Sequence, residues 1–226
     1  MTPRLHSFCI TLLLTLLCTV SGAAQSAAIF SNFGVGYSYQ TGTGLFVGDG
    51  NLDGSANYAQ ASTFVASTSA QVGSIVIALG DFGFGQGAPI TVSLLVSGIN
   101  MPGSTVLDSF IIGANTLGTF GNNNSPLTLT SALHPLLTVG TQYWLSVSTS
   151  LANLVVWNFS NTDFLNYNAV SQSLDGGTTW DIPFGSTRGV FQVNAFANAV
   201  PEPATLALLA GGILGFAGLR RRRQGR

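Results

Sequence analysis

The segment DGNLDGSAN carries oxygen-bearing side chains at alternating positions, namely Asp49, Asn51 and Asp53, with Gly54 directly after them. Oxygen ligands at positions 1, 3 and 5 followed by glycine at position 6 resemble the opening of a calcium-binding loop, in which alternate side chains converge on one hard cation. Position 12 is Gln60 instead of the bidentate glutamate of that loop, and no helical pattern flanks the segment. The spacing therefore predicts either a weak calcium site or a glycine-rich turn.

A second motif, SLDGGTTW, fits the Asp-box pattern that occurs in sialidases and other extracellular β-proteins, with Ser173, Asp175, Gly177, Thr179 and Trp180 at its defining positions. The aspartate of such a box can accept hydrogen bonds from backbone amides of the turn, and its glycine can take a positive φ. The tryptophan is expected to tuck under the hairpin. In the families that the motif resembles, the box is a folding element away from the active site, so we expect a structural role here.

Conventional catalytic groups are scarce between residues 28 and 199, where His134 is the only histidine and cysteine is missing. A lone histidine cannot supply a metal-binding triad, and no GxSxG motif accompanies it, so His134 is expected to hydrogen-bond backbone at a turn. The acidic residues of this region are all aspartates, most of them beside turn-forming residues. The sequence predicts a non-enzymatic protein, although a secreted polysaccharide hydrolase with paired carboxylates is a less favoured alternative.

Aromatic residues are concentrated in glycine-rich, irregular sequence near the start of this region. Rings in such loops could form a platform on which sugars stack, which makes a carbohydrate-binding adhesin the second functional hypothesis. They could equally be core residues of a loop-rich edge. The residues concerned are Phe30, Phe33, Tyr37, Tyr39, Phe46, Phe82 and Phe84.

The charge of residues 28–199 also restricts the function. The region has no lysine, and its only strong base is Arg188, against seven aspartates. Its formal charge of −6 contrasts with −1 for the whole chain, because most of the arginines lie at the C-terminus. An acidic, lysine-free body is unsuited to nucleic acid, whose affinity depends on Lys and Arg contacts to phosphate.

The elements that must position these residues are β-strands. Short apolar runs such as ITVSLLVSG, TQYWLSVSTS and LVVWNFS are rich in β-branched and aromatic residues, and several alternate with polar ones. Turn formers separate them, including GDFGFGQGAP, INMPGS, GNNNSP and DGGT. The pattern predicts an all-β body of about seven to nine strands, folded as a β-sandwich or jelly roll, with a closed barrel as the alternative. Residues 29–61 are expected to be a long loop with one or two strands.

The series SALHPLLTVGTQYWLSVSTS, LVVWNFS and SLDGGTTW resembles the bacterial extracellular domain named choice-of-anchor R. The resemblance covers roughly residues 29–197, with LHPLL, GTQYWL and WNF as its distinctive core. It implies a secreted, β-rich domain without an established enzymatic role.

Residues 1–27 have the organisation of a secretory signal peptide. Arg4 lies in a short polar leader, an uncharged apolar run extends from Phe8 to Val20, and the small residues of SGAAQSAA follow. The apolar run is too short to span a bilayer comfortably as a helix. The sequence therefore predicts export and cleavage before the domain of residues 28–199.

The C-terminal residues 200–226 combine three features. Pro201, Glu202 and Pro203 precede sixteen mostly apolar residues, 204–219, which four arginines follow. As a helix, the apolar segment would reach about 24 Å, just enough to cross a hydrocarbon core of about 30 Å if the bilayer thins. Because arginines stay on the cytoplasmic side, the body would lie outside.

The tail is similar to the PEP-CTERM sorting signal of Gram-negative bacteria. That resemblance implies recognition of Pro201, Glu202 and Pro203 by an exosortase, cleavage nearby, and release or transfer of the body to the cell surface. The arginines that complete the signal are Arg220, Arg221, Arg222 and Arg223. Proteins with this signal accompany exopolysaccharide and biofilm matrices. The leading hypothesis is thus an exported surface or matrix protein, membrane-anchored before processing, with extracellular polysaccharide as a partner and no cofactor other than the calcium considered above.

Overall fold

The computed structural model describes residues 26–49, 54–164, 166–181 and 184–197, with only the backbone described at 84–86, 166 and 167. The described residues form fourteen β-strands and a one-turn 3-10 helix at Val35–Tyr37, and they contain no α-helix. The strands are β1 Ala28–Ser31, β2 Gly44–Asp49, β3 Asn57–Val65, β4 Ala70–Ile77, β5 Leu79–Gln86, β6 Ile90–Ser97, β7 Pro102–Ile112, β8 Leu127–Thr130, β9 Leu136–Leu137, β10 Gln142–Ser148, β11 Asn153–Asn158, β12 Asn166–Ser173, β13 Phe184–Ser186 and β14 Phe191–Ala195.

Two antiparallel sheets divide these strands. The small sheet has the order β1-β14-β4-β8, with β9 added beside β4. The large sheet has the order β5-β11-β2-β3-β10-β6-β7, and β12 joins it through β3 and carries β13. Apart from β2-β3, β6-β7 and β12-β13, the paired strands are not consecutive in the sequence, so the fold depends on pairings between distant parts of the chain.

The inner faces of the two sheets share one hydrophobic core. Ile75, Phe191 and Val193 from the small sheet belong to the same buried cluster as Phe64 and Trp157 from the large sheet. Each of these side chains is at most 1% exposed, and burying one such side chain contributes about 1.5–3 kcal/mol. The predicted all-β sandwich is confirmed.

The strand content exceeds the prediction. Residues 29–61 hold β1, β2 and the start of β3, and β3 lies in the middle of the large sheet. The assignment of GDFGFGQGAP to a turn is wrong, because β5 occupies Leu79–Gln86 and pairs with β11 at the edge of the sheet. Gly80 is required there because the backbone of Phe120 lies against it: a Cβ on Gly80 would be 2.9 Å from Phe120 Cα.

The large sheet branches at β3. One edge of β3 pairs with β10 from Gln60 to Val65. β3 also pairs with β2, at Asn57 and Tyr58, and with β12, from Ala59 to Ser62. The remainder of β2 pairs with β11, and a groove between β2 and β12 lies beside Gln60.

Candidate functional site

The Asp-box motif forms a tight hairpin turn around one carboxylate. Oδ1 of Asp175 accepts hydrogen bonds from the amides of Thr178 and Thr179 at 3.0 and 2.9 Å. The hydroxyl of Ser173 donates to the same oxygen at 2.7 Å, while the Thr179 hydroxyl donates to Oδ2 at 2.7 Å. The backbone reverses at Gly176 and Gly177, whose φ values of 75° and 98° lie in the left-handed region. These contacts use both carboxylate oxygens within the turn itself.

Trp180 attaches this turn to the outer face of the large sheet. Its side chain packs on a small cluster formed by Ala61, Leu95 and Trp144. Trp144 is fully buried, and its Nε1 donates to the Ser97 hydroxyl at 3.2 Å. The motif therefore covers apolar surface that the main core does not reach.

The Asp175 carboxyl should make unfolding depend on pH. The amide of Thr179, followed by the hydroxyls of Ser173 and Thr179, lowers the pKa of Asp175 to about 2. Since the unfolded carboxyl has the higher pKa of 3.8, the unfolded state binds more protons between these values, and stability must fall as the pH drops through that range. Urea midpoints of the wild type and Asp175→Asn should therefore differ at pH 6 and converge as the pH approaches 2. A constant difference would contradict this.

The structure describes only part of the predicted calcium loop. Both carboxylate oxygens of Asp49 accept a hydrogen bond from the Gly54 amide at 3.0 Å, which closes the loop as a turn. Asn51 and Asp53 lie outside the described residues. Among the residues that the structure does describe, no group of three or more His, Cys, Asp or Glu side chains is arranged to hold a metal ion. The calcium site stays a prediction.

Asp108, Ser131 and His134 come together in the fold, a juxtaposition that the sequence did not indicate. The Ser131 hydroxyl donates to Asp108 Oδ2 and accepts the backbone amide of His134 at 3.0 Å. The His134 ring bonds instead to the carbonyl of Val72 at 2.9 Å and lies against Phe196. Ser131 is 2% exposed and bonded to a carboxylate, so its hydroxyl is not placed as a nucleophile. The expected backbone contact of His134 is present.

The predicted aromatic platform is divided among three places. Phe30 packs in the core, with its ring centroid 5.2 Å from Phe64 and 4.9 Å from Phe191. Phe33 contacts Tyr37 and Tyr39, and Tyr39 donates to the carbonyl of Asn124. Burial raises the pKa of the Tyr39 hydroxyl. In the third group, Phe82 contacts both Phe46 and Phe120. The side chain of Phe84 is not among those that the structure describes.

The groove between β2 and β12 brings together residues that sequence reasoning missed. It has a volume of about 280 Å³, and its walls include Phe46, Tyr58, Gln172 and Phe184, with Gln60 between them. Gln60 and Gln172 lie 112 positions apart. Apart from Phe46, none of these residues carried a signal, because isolated glutamines and tyrosines in a strand are ordinary.

A larger depression lies on the same sheet beside the Asp-box turn. Its volume is about 450 Å³, and its lining includes Trp180, Met101 and the serines Ser93, Ser146 and Ser148. We refer to it as the Trp180 depression. Its lining mixes hydroxyl groups with apolar side chains, and no charged residue lines it within the described part of the chain.

The predicted sorting residues, Pro201 to Pro203 and Arg220 to Arg223, lie outside the described residues, as do most of the predicted signal peptide and the apolar segment 204–219. No helix in the described part of the chain has the length and hydropathy needed to cross a membrane.

Comparison with known proteins gives one result for this part of the sequence. Residues 199–223 match the family model for the PEP-CTERM protein-sorting motif. No curated protein is a significant match to the chain. The match supports a PEP-CTERM protein, and the motif implies an exported chain that an exosortase sorts to the cell envelope or surface.

Proposed function

We propose that this chain is a non-enzymatic protein of the cell surface or extracellular matrix, delivered by a signal peptide and processed by an exosortase. The sorting motif at residues 199–223 carries the proposal. Prolines disfavour a helix that starts before the apolar segment, and a residue directly before a proline, such as Glu202, has a preference for extended backbone.

The physical properties of the tail support a transient anchor. Residues 204–219 can just span a bilayer as a helix, and Arg220 to Arg223 hold the C-terminal end on the cytoplasmic side. Cleavage near the triplet would separate the β-sandwich from its anchor. The body then reaches the surface without the arginines, as an acidic domain.

The sandwich supports a structural or adhesive role. A secreted domain of the choice-of-anchor R type, which the sequence resembles, would need no catalytic group. Carboxylates in the described part of the chain accept hydrogen bonds that stabilise the fold. Asp175 does so within its turn, and Asp108 accepts the Ser131 hydroxyl. Extracellular polysaccharide is the proposed partner in an exopolysaccharide or biofilm matrix.

Processing can be tested by intact-mass measurement of the chain in its native envelope. We expect the surface form to lack the peptide containing Arg220 to Arg223, and the variant Pro201→Ala/Glu202→Gln/Pro203→Ala to retain it. Gln224→Ala lies outside the recognition triplet and is the matched control, which should be processed like the wild type.

Two results would count against the proposal. A wild-type surface protein that keeps its arginine peptide would eliminate sorting by an exosortase. Release of sugars from a polysaccharide by the purified chain, abolished by replacing one aspartate, would instead eliminate the non-enzymatic role.

A further inference from the structure

The groove between β2 and β12 is formed by strands of the large sheet. Its lining residues belong to β2, β3, β12 and β13, and β3 pairs with both β2 and β12 beside it. The Gln60 side chain bridges the gap, since its Nε2 donates to the Phe46 carbonyl at 3.0 Å and to Gln172 Oε1 at 3.1 Å. This bridge connects β2 to β12 at the groove.

Aromatic rings stand on both sides of the groove. Phe46 on β2 is 42% exposed and Phe184 on β13 is 40% exposed, and Tyr58 also lines the groove. The Phe46 ring is supported edge to face by Phe82 at 5.2 Å. Half-exposed rings held in fixed positions offer flat apolar faces to the C–H face of a sugar ring, with little loss of side-chain freedom on binding.

The side-chain oxygen of Gln60 accepts no hydrogen bond from the described residues. The residue is 2% exposed, and its Oε1 has no hydrogen-bond partner among the described residues. Its Nε2 already faces two acceptors, so exchanging the amide atoms would place oxygen against oxygen. A buried carbonyl oxygen without a donor indicates a missing partner. A sugar hydroxyl is a donor of the kind that this oxygen lacks, and Gln60 lines the groove.

The lining of the groove indicates the charge of the ligand. Its described residues are glycine, leucine, aromatic and glutamine, and none of these carries a charge. The strong base Arg188 pairs with Asp163. Because the body as a whole is acidic, an anionic polymer would meet repulsion without a compensating cation.

We propose that this groove binds an uncharged polysaccharide, whose sugar rings stack on Phe46 and Phe184 and whose hydroxyl groups bond to Gln60 and Gln172. The inference deepens the proposed function, since polysaccharide is the partner suggested there, but it assigns the site and the charge class of the glycan.

Affinity electrophoresis of the intact chain in detergent tests this site. The gels contain dextran, mannan or a soluble β-glucan as neutral probes and alginate as the anionic probe. We expect retardation by at least one neutral probe and none by alginate. Phe46→Ala and Phe184→Ala should each weaken binding by about three- to tenfold, as expected for the loss of one aromatic contact.

Two control variants locate the binding. Phe164→Ala removes another exposed phenylalanine, one that does not line the groove, and Met101→Ala alters the Trp180 depression. Both should bind like the wild type, and Phe184→Tyr should retain binding because it keeps a ring. Thermal unfolding checks that each variant is folded.

The inference is wrong if no neutral probe retards the folded chain, if alginate binds equally well, or if the groove variants behave like the controls. These results would not contradict the sorting proposal. A chain that loses its arginine peptide but binds no glycan contradicts only the proposed binding site in the groove. Conversely, a chain that keeps the peptide but binds dextran through Phe184 contradicts the sorting proposal alone.

Discussion

Replacing Gly189 by alanine is expected to lower the free energy of unfolding by about 2–3 kcal/mol, the range of overpacked cores. A Cβ at this position would lie 2.3 Å from two atoms of the Trp157 ring. The ring cannot retreat easily, since Trp157 is fully buried and its Nε1 donates to the Val190 carbonyl at 3.0 Å. Phe191 packs against its other side, with centroids 5.8 Å apart. Urea unfolding followed by tryptophan fluorescence measures the change.

A double-mutant cycle separates this clash from a general backbone effect. Trp157→Ala removes every ring atom that the new methyl group would strike, so Gly189→Ala/Trp157→Ala should cost at least about 1 kcal/mol less than the sum of the single changes. Gly42→Ala is the matched control, because a Cβ there meets no atom within 4 Å. Its effect should stay within about 0.5 kcal/mol. Additive losses in the cycle would show that ring contact is not the cause.

The sequence predicted the sandwich where its strands alternate clearly. Tyr143 to Ser148 and the apolar runs around it became β10 and its neighbours. Strand β3 was not predicted, because the buried polar residues Gln60, Ser62 and Thr63 interrupt its apolar pattern. Strand β5 was misassigned because glycines alternate with phenylalanines there. Hydropathy shows burial of apolar side chains, but it does not reveal polar residues that are buried inside a sheet.

The candidate groove lay beyond sequence reasoning for a different reason. The contact between Gln60 and Gln172 depends on which strands flank β3, and nothing local to either glutamine specifies that choice. By contrast, the Asp-box turn is a local structure, and its hydrogen bonds from Ser173 through Thr179 follow from the spacing of the motif. The aromatic residues were predicted only in part: Phe30 packs in the core, whereas Phe46 is partly exposed to solvent, and the sequence did not distinguish the two.

Asn32→Ala should lower the free energy of unfolding by about 2–4 kcal/mol, because it leaves two buried backbone groups without partners. Asn32 is 4% exposed; its Nδ2 donates to the Gly189 carbonyl at 3.1 Å, and its Oδ1 accepts the Phe191 amide at 2.8 Å. Asn124 also donates to a backbone carbonyl, that of Thr119 at 2.9 Å, but in an exposed setting. Asn124→Ala should therefore cost below about 1 kcal/mol, since water can replace its bond. Equal losses in urea unfolding would mean that burial does not set the energy of these side-chain contacts.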